Sequence, residues 1–274
     1  MKNFLLVAVM LFCITVYAGV RYDTKGDRVL RVGTECDYAP NNWEEHRETD
    51  SNVPLANKEG YYAEGYDIQV AKIVAKSIGA KLEVRKIAWE DLIPALNRRE
   101  IDAIFSGMLD TSERKQSIAF TDTYEDRVTE YAILVQKYGR WANAKKLTDF
   151  EGARFVGQEG TNLDDAIDQL PGAIHLPPVD TAAKMIEALN RGKADGIITD
   201  FEIMSSYVKT YPHLKAIRLP KNETFVFDYT GVCAGVRKTD VKLTKEINSA
   251  LKNISQHERK RLMDRSVARE WENI

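Results

Sequence analysis

An internal repeat constrains the fold of this chain more than any other feature of its sequence. The stretch 95–104, ALNRREIDAI, recurs at 188–197 as ALNRGKADGI, 93 residues further along the chain. Each copy has the pattern of a helix end, a tight turn and an apolar strand with a polar end. The polar ends are Ser106-Gly107 and Thr199-Asp200. Two similar α/β units can face each other across a cleft at their strand ends, where open parallel sheets bind ligands.

The segment after the first copy has the features of an anion-binding turn. Residues 101–105 are apolar enough for a buried parallel strand, and Gly107 then allows the backbone to approach a ligand closely. Thr111 begins the pattern of a helix N-cap, which puts Arg114 in the first helical turn. A strand end, a glycine turn and a helical arginine favour a carboxylate held by a bidentate guanidinium. The alternative is that Arg114 is a surface residue beside Glu113.

The second unit offers the opposite charge. Asp200 ends the repeated strand, so one unit presents a cation to the cleft and the other an anion. The tripeptide 160–162, Gly-Thr-Asn, stands at the predicted start of a helix, where free N–H groups and the helix dipole favour a carboxylate or a phosphate. A plain N-cap explains the tripeptide equally well, and both interpretations stay open.

Hydrophobic periodicity predicts an α/β chain. Predicted strands lie at 29–36, 82–87, 101–105, 153–158, 173–176, 194–200 and 231–236. Predicted helices lie at 67–79, from 89 onward, at 163–170, 181–191 and 201–209, and after the last strand. This alternation predicts parallel sheets with helices on both faces. Residues 37–40 are predicted as a loop, and residues 41–62, which are polar and lack periodicity, as a surface excursion.

Residues 1–18 have the pattern of a secretory signal peptide. A lysine at position 2 precedes an apolar run, and small residues precede a predicted cleavage site after Ala18. Cys13 lacks the small preceding residue of a lipidation motif, so we expect no lipid anchor. No later stretch approaches about 18 consecutive apolar residues. We therefore expect a soluble periplasmic or extracellular protein.

Composition and residue spacing argue against several classes of protein. The net charge is −2, and because Lys and Arg are spread along the chain we expect no nucleic-acid partner. No catalytic Ser/His/Asp or Cys/His pattern and no phosphate-binding glycine loop is evident, so we expect no enzyme activity and no cofactor. Cys36 and Cys233 could form a disulfide or stay free and buried. We expect no metal site, because the histidines show no ligand spacing: His46, His175, His213 and His257.

Several segments, taken together and in order, match one family. They are 30–35 (LRVGTE), 65–68 (GYDI), 89–96 (WEDLIPAL), 101–114 with 120–124 (FTDTY), and 192–200 (GKADGIITD). The chain closely resembles the family 3 extracellular solute-binding proteins, the polar-amino-acid receptors of ABC importers, over nearly its whole mature length.

The resemblance implies a fold of the periplasmic-binding-protein type II, with two α/β lobes, a ligand cleft between them and two hinge crossovers. Lobe 1 would comprise 27–124 and 229–274, and lobe 2 would comprise 129–224. The crossovers would lie at 125–128 and 225–228. The partners implied are a small-molecule amino acid and a membrane ABC permease, with a monomeric receptor.

The resemblance also implies roles for particular residues. Arg114 would hold the ligand α-carboxylate with help from Thr161 and Asn162. Asp200 would bind the α-ammonium group together with polar groups of Ser106 and Gly107.

The side-chain end of the ligand would lie among three further residues. Glu35 matches an acidic residue that faces the ligand side chain, and Tyr38 and Trp89 match aromatic residues that sandwich it. Trp89 could instead belong to the core, and Glu35 could pair with a neighbouring cation. Leu109 departs from the family pattern because many members have Ser or Thr there, and the 41–62 excursion is longer than in simple members.

These residues favour a basic amino acid such as arginine or lysine, then glutamine, and disfavour aspartate and glutamate. An alternative is a secreted cyclohexadienyl or arogenate dehydratase, which some relatives resemble. In those enzymes a Glu follows the Thr-Asn pair, whereas this chain has Leu163, which cannot transfer a proton, and Asp164 lies about 100° further around a helix. A third possibility is a ligand-sensing domain with the same pocket.

Overall fold

The computed structural model describes residues 21–23, 26–125, 131–220 and 223–272. The predicted signal peptide, with Cys13, lies outside the described residues, as does most of the first predicted crossover. None of the helices in the described ranges is long and apolar enough to span a bilayer.

The strands of the described residues are short. They are β1 (Arg21–Tyr22), β2 (Arg28–Thr34), β3 (Asp37–Tyr38), β4 (Asn42–Glu45), β5 (Val53–Pro54), β6 (Tyr62–Glu64), β7 (Lys81–Lys86), β8 (Ala103–Ile104), β9 (Ala119–Glu125), β10 (Tyr131–Gln136), β11 (Arg154–Phe155), β12 (Ile174–His175), β13 (Gly196–Asp200), β14 (Leu214–Arg218) and β15 (Val232–Val236).

The α-helices are α1 (Tyr66–Ser77), α2 (Leu92–Asn97), α3 (Ser112–Ser117), α4 (Asn162–Asp165), α5 (Ala182–Asn190), α6 (Phe201–Thr210), α7 (Val241–Lys252) and α8 (Gln256–Glu272). Short 3₁₀ turns lie at Trp89–Asp91, Leu147–Phe150 and Ala166–Gln169.

One lobe is built on a mixed sheet with the strand order β1-β2-β8-β15-β9, and β7 pairs with β2. The predicted parallel arrangement holds for β2 with β7 and β8, but β15 runs antiparallel to β8 and β9. Helices cover both faces, as predicted. Helices α1, α7 and α8 pack on one face, and α2 packs on the other through Leu92 and Leu96.

The other lobe has a second mixed sheet with the order β12-β11-β13-β10-β14. Strand β11 is parallel to β12 and β13, whereas β10 runs antiparallel to β13 and β14. Separate apolar clusters lie on its two faces, one around Phe150 and Phe155 and one around Met185 and Leu189. The prediction of two α/β units is therefore confirmed, while strands β9, β10 and β14 were not predicted.

The segment 41–62, predicted as an excursion without regular structure, contains strands. Strands β3, β4, β6 and β5 form a small antiparallel sheet, which also includes part of the predicted 37–40 loop. Some of its polar residues are buried and hydrogen-bonded: Glu64 accepts from Thr49 and Ser51, and Asn42 donates to Asp67. Buried polar networks of this kind leave no hydrophobic periodicity for a sequence to show.

The same ion pair occurs in both lobes, with its aspartate at equivalent positions of the internal repeat. Asp102, just before β8, accepts hydrogen bonds from the Arg31 backbone N–H and from its Nε and Nη2, at 3.2, 2.9 and 2.7 Å. Asp195, just before β13, accepts from the same three groups of Arg154, at 2.9, 2.9 and 3.0 Å. The Asp102 side chain is 3% exposed and also contacts Arg237, whereas that of Asp195 is 27% exposed.

The two ion pairs share their hydrogen bonds and differ in burial. Comparing them therefore measures how burial changes the contribution of the pair to stability. We expect Asp102→Ala to lower the free energy of unfolding by about 3–5 kcal/mol, because it leaves the buried Arg31 guanidinium without its anion, whereas Arg237 keeps Asp240. Asp195→Ala should cost about 1 kcal/mol, because water reaches Arg154. Urea unfolding of the two variants measures the difference, and equal losses would contradict this account.

Candidate functional site

The strand ends of the two sheets meet at a cleft. All nine residues predicted for the ligand site line this one cleft. The sequence analysis did not assign six further lining residues to the site: Asn41, Leu109, Tyr131, Gln158, Leu163 and Val232. The binding roles of the nine residues stay predictions, but their proximity is a property of the fold.

Arg114 projects into the cleft from α3, which begins as predicted with Thr111 as N-cap. Its Nη1 donates to the Leu109 carbonyl at 2.9 Å, and its Nη2 donates across the cleft to the Gly160 carbonyl at 3.0 Å. Burial lowers the pKa of Arg114 to about 10, so the guanidinium remains charged at neutral pH. No carboxylate pairs with Arg114 among the described residues, so its charge is available to an anion.

Trp89 lies beside this guanidinium and is half-buried. The Arg114 guanidinium carbon is 5.1 Å from the centroid of the indole ring. The indole Nε1 donates to the same Gly160 carbonyl at 3.1 Å, and one side of the ring packs on the α2 cluster. Trp89 therefore belongs both to the cleft wall and to the edge of the core.

Thr161 of the tripeptide 160–162 caps helix α4, and one polar group of the tripeptide has no hydrogen-bond partner in the described part of the chain. The Thr161 hydroxyl accepts from the Asp164 N–H and donates to the Gln158 carbonyl at 2.8 Å, and the Thr161 N–H bonds the same carbonyl. Both polar groups of Thr161 thus have protein partners. The Asn162 Nδ2 is buried without a hydrogen-bond partner in the described part of the chain.

Asp200 and Tyr38 meet across the cleft. The Tyr38 hydroxyl donates to Asp200 Oδ2 at 2.6 Å. Burial, with the neighbouring Asp200 charge, raises the pKa of Tyr38 well above its usual value, so the phenol stays a donor. Gly107 packs on the Tyr38 ring with φ +60°, a left-handed conformation that favours glycine.

Glu35 lies at the buried end of the cleft. Its backbone N–H donates to Ser106 Oγ at 3.1 Å, and its Oε2 accepts from Gln158 Nε2 of the opposite lobe at 2.9 Å. Burial raises the pKa of Glu35 to about 7, and the carboxylate of Asp37 adds to the shift. No cation pairs with Glu35 among the described residues, so the alternative of a neighbouring partner lacks support.

Two cleft residues that the sequence analysis missed had a signal in the sequence. Gln158 is the last residue of a predicted strand, four residues after Arg154, just as Glu35 stands four residues after Arg31 in the other lobe. Tyr131 begins β10 opposite Asp200, and its hydroxyl bonds that of Tyr229. A polar residue at the end of an apolar strand is the sequence signal that marks such cleft positions.

Other chemistry has little support in the described residues. Cys36 and Cys233 are both free and buried. No group of three or more His, Cys, Asp or Glu residues in the described ranges could hold a metal ion. Leu163 lines the cleft, and the Asp164 carboxylate instead contacts His175 Nε2 at 3.0 Å.

Sequence comparison identifies a family. Residues 30–267 match the family model of the bacterial extracellular solute-binding proteins, family 3. The chain is 26% identical over 237 residues to the putative ABC transporter arginine-binding protein 2 of Escherichia coli K12, covering 86% of this chain and 89% of that protein.

Solved structures share the fold. An ancestral arginine-binding protein bound to glutamine is 28% identical, with a TM-score of 0.70, and the match covers 86% of this chain and 96% of that one. An ancestral amino acid-binding protein described as a precursor of cyclohexadienyl dehydratase is 26% identical, with a TM-score of 0.70 and coverage of 86% and 94%. These likenesses confirm the predicted two-lobed fold class.

The raised pKa of Glu35 predicts a pH-dependent stability. The unfolded chain loses this proton near the usual glutamate value of about 4.3, whereas the folded chain keeps it to about pH 7. The folded state therefore loses stability as the pH rises through this window. We expect Glu35→Gln to match the wild type near pH 4.5 and to be more stable by about 3 kcal/mol at pH 8.

Urea unfolding at both pH values measures this difference. Glu113→Gln, an exposed control, should change little at either pH. A gain for Glu35→Gln of equal size at pH 4.5 and pH 8 would contradict a titrating carboxyl.

Proposed function

Because this chain belongs to family 3 of the bacterial extracellular solute-binding proteins, we propose that it captures an amino acid in its cleft and delivers it to the permease of an ABC transporter. One observation carries the proposal. The half-buried cation Arg114 has no anionic partner among the described residues, and the carboxylate of Asp200 lines the same cleft. A zwitterionic amino acid offers the complementary pair of charges.

The two ends of the amino acid would meet different groups. Arg114 would bind the α-carboxylate, helped by the buried Asn162 Nδ2, which can donate to it. Asp200 would accept from the α-ammonium group beside Ser106. Each charge-assisted hydrogen bond contributes about 1.5–3 kcal/mol where water is excluded. Thr161 contributes less than its position suggests, since its hydroxyl and N–H already bond Gln158.

The side-chain end of the cleft favours a basic amino acid. Glu35 is buried there without a cation among the described residues, and its ionised form would pair with a guanidinium or an ammonium group. The Tyr38 and Trp89 rings suit a flat cation by stacking. Glutamine is the second choice, because a protonated Glu35 can donate to an amide oxygen. Names of relatives support this range: arginine-binding, histidine-binding and glutamine-binding proteins.

The two lobes would bind the amino acid by closing on it. We assign lobe 1 to 27–124 and 229–274 and lobe 2 to 129–224, with crossovers at 125–128 and 225–228. Hydrogen bonds across the cleft, such as Tyr38 to Asp200 and Gln158 to Glu35, would hold the closed state.

We also propose where the receptor acts and that it is not an enzyme. The receptor would act outside the cytoplasmic membrane, as the family does, and as a monomer. The dehydratase alternative draws on the ancestral structure described as a dehydratase precursor. The position of the dehydratase Glu offers no proton donor here, because Leu163 occupies it and the neighbouring Asp164 is turned to His175.

A thermal-shift screen tests the proposed function. The mature protein is heated with each of the twenty amino acids, ornithine, citrulline and prephenate. A ligand at about 100 times its dissociation constant should stabilise the fold by about 2.7 kcal/mol, which raises the melting temperature by several degrees. We expect this shift with arginine or lysine, and its loss in Arg114→Ala.

Arg98→Ala is the matched control, because Arg98 is exposed and pairs with Glu100 outside the cleft. It should keep the full ligand shift. A shift with prephenate alone would favour the dehydratase, and no shift with any amino acid would overturn the proposal.

Ligand affinity should also depend on pH. If Glu35 pairs with the ligand side chain, its ionised fraction rises about tenfold between pH 6 and pH 8 for a pKa of about 7. Calorimetry should therefore show arginine binding about tenfold tighter at pH 8. Glu35→Gln should remove the dependence, whereas a dependence that survives this substitution would assign it to another group.

A further inference from the structure

A loop at the far end of lobe 2 concentrates positive charge. The segment 137–146, which we call the basic loop, follows β10 and precedes the 3₁₀ turn at Leu147–Phe150. Strand β10 begins at the cleft with Tyr131 and runs away from it for six residues. At about 3.3 Å for each residue, the basic loop lies roughly 20 Å from the cleft. It is therefore remote from the ligand site.

The basic loop carries positive charge and no negative charge of its own. It carries four cations, Lys137, Arg140, Lys145 and Lys146, and no acidic residue occurs from 131 to 148. All four are exposed, and none forms an ion pair within the described residues. The net charge of the whole chain is −2, so this loop is an exception to the spread of cations along the sequence.

Cations near the basic loop, unlike those within it, form ion pairs. Arg154 pairs with Asp195, and Arg191 pairs with Glu187. The next acid along the chain, Asp149, accepts from the backbone N–H groups of Lys145 and Lys146 rather than from a cationic side chain. The four charges of the basic loop thus face solvent.

Two aromatic side chains lie among these cations. Tyr138 is 89% exposed, and Lys137 Nζ lies 5.8 Å from its ring centroid. The Arg140 guanidinium stacks on Trp141 at 4.4 Å, and Trp141 in turn packs on Phe150. An exposed tyrosine among cations is the combination found at membrane–water interfaces, where the ring enters the headgroup layer and the cations meet anionic headgroups.

The basic loop is also held in shape. The Gly139 N–H donates to the Gln136 carbonyl at 3.0 Å, and the Ala142 N–H donates to the Gly139 carbonyl at 3.2 Å. Lys215 Nζ of β14 donates to the Ala142 carbonyl at 2.6 Å. A preformed surface loses little conformational entropy when it binds.

We propose that the basic loop binds the surface of a bilayer rich in anionic phospholipid, and that it holds the receptor at the membrane independently of its ligand. The cations supply the attraction, which weakens with salt, and Tyr138 inserts its ring between headgroups. A receptor bound in this way would search for its permease along a surface instead of through a volume.

Vesicle sedimentation tests the proposal. The mature protein is mixed with vesicles of phosphatidylglycerol and phosphatidylcholine in equal parts, or of phosphatidylcholine alone, at 50 mM and 500 mM NaCl. We expect binding only to the anionic vesicles and mainly at low salt. Replacing all four cations of the basic loop with Gln should lower the partition coefficient about five-fold for each charge removed.

A matched variant separates local charge from net charge. It replaces four exposed lysines of lobe 1 with Gln: Lys76, Lys242, Lys245 and Lys252. This control should bind anionic vesicles within a few-fold of the wild type. Tyr138→Ser should weaken binding several-fold and leave its salt dependence unchanged.

In the vesicle assay, the proposal is overturned by no binding to anionic vesicles, by equal binding to both vesicle types, or by equal losses in the two quadruple variants. Retention on an RNA column without vesicle binding would assign the loop to a different polyanion and would also overturn it. The amino-acid thermal shift of each variant shows that it is folded, and that shift does not depend on vesicle binding. Failure here therefore leaves the receptor function intact.

Discussion

The site depends on one guanidinium group that belongs to both lobes. Arg114 extends from lobe 1 and bonds two backbone carbonyls, Leu109 on its own side of the cleft and Gly160 on the other. Carbonyl oxygens satisfy its N–H groups without neutralising its charge. The group is therefore fixed in direction but still attractive to an anion, and Trp89 supports it by bonding the same Gly160 oxygen.

At the Glu35 end of the cleft, the surroundings disfavour the charged form of the side chain, in contrast to Arg114. Glu35 is held by Gln158 and Ser106, and burial disfavours its charge. The next residue, Cys36, has φ +55°, a left-handed conformation that is unusual for a residue other than glycine. Such strain at a binding site persists only where surrounding contacts maintain it. The chain thus keeps an unfavourable carboxyl in position at the cost of stability.

The sequence predicted the parts of the molecule that rest on local patterns. The repeat located the strand ends that carry Ser106 and Asp200, and the family resemblance as a whole located all nine cleft residues. Strand β15 was found, but its antiparallel pairing with β8 and β9 was not, because pairing depends on distant partners. The 41–62 sheet was missed because its buried positions mix polar residues such as Asn42 and Ser51 with apolar ones such as Leu55. Gln158 was missed because a strand-ending glutamine acquires meaning only when Glu35 is known to lie opposite.

The position of β15 has a consequence for the order of folding. Residues 232–236 occupy the place between β8 and β9 in the lobe 1 sheet, so this sheet has a gap until the last sixth of the chain is available. Lobe 2 takes all its sheet strands from one continuous stretch and needs no later segment. We therefore expect lobe 2 to fold before lobe 1 is complete, against the usual direction from the N-terminus. A chain built in this order leaves the facing edges of β8 and β9 unpaired while the second sheet is already complete.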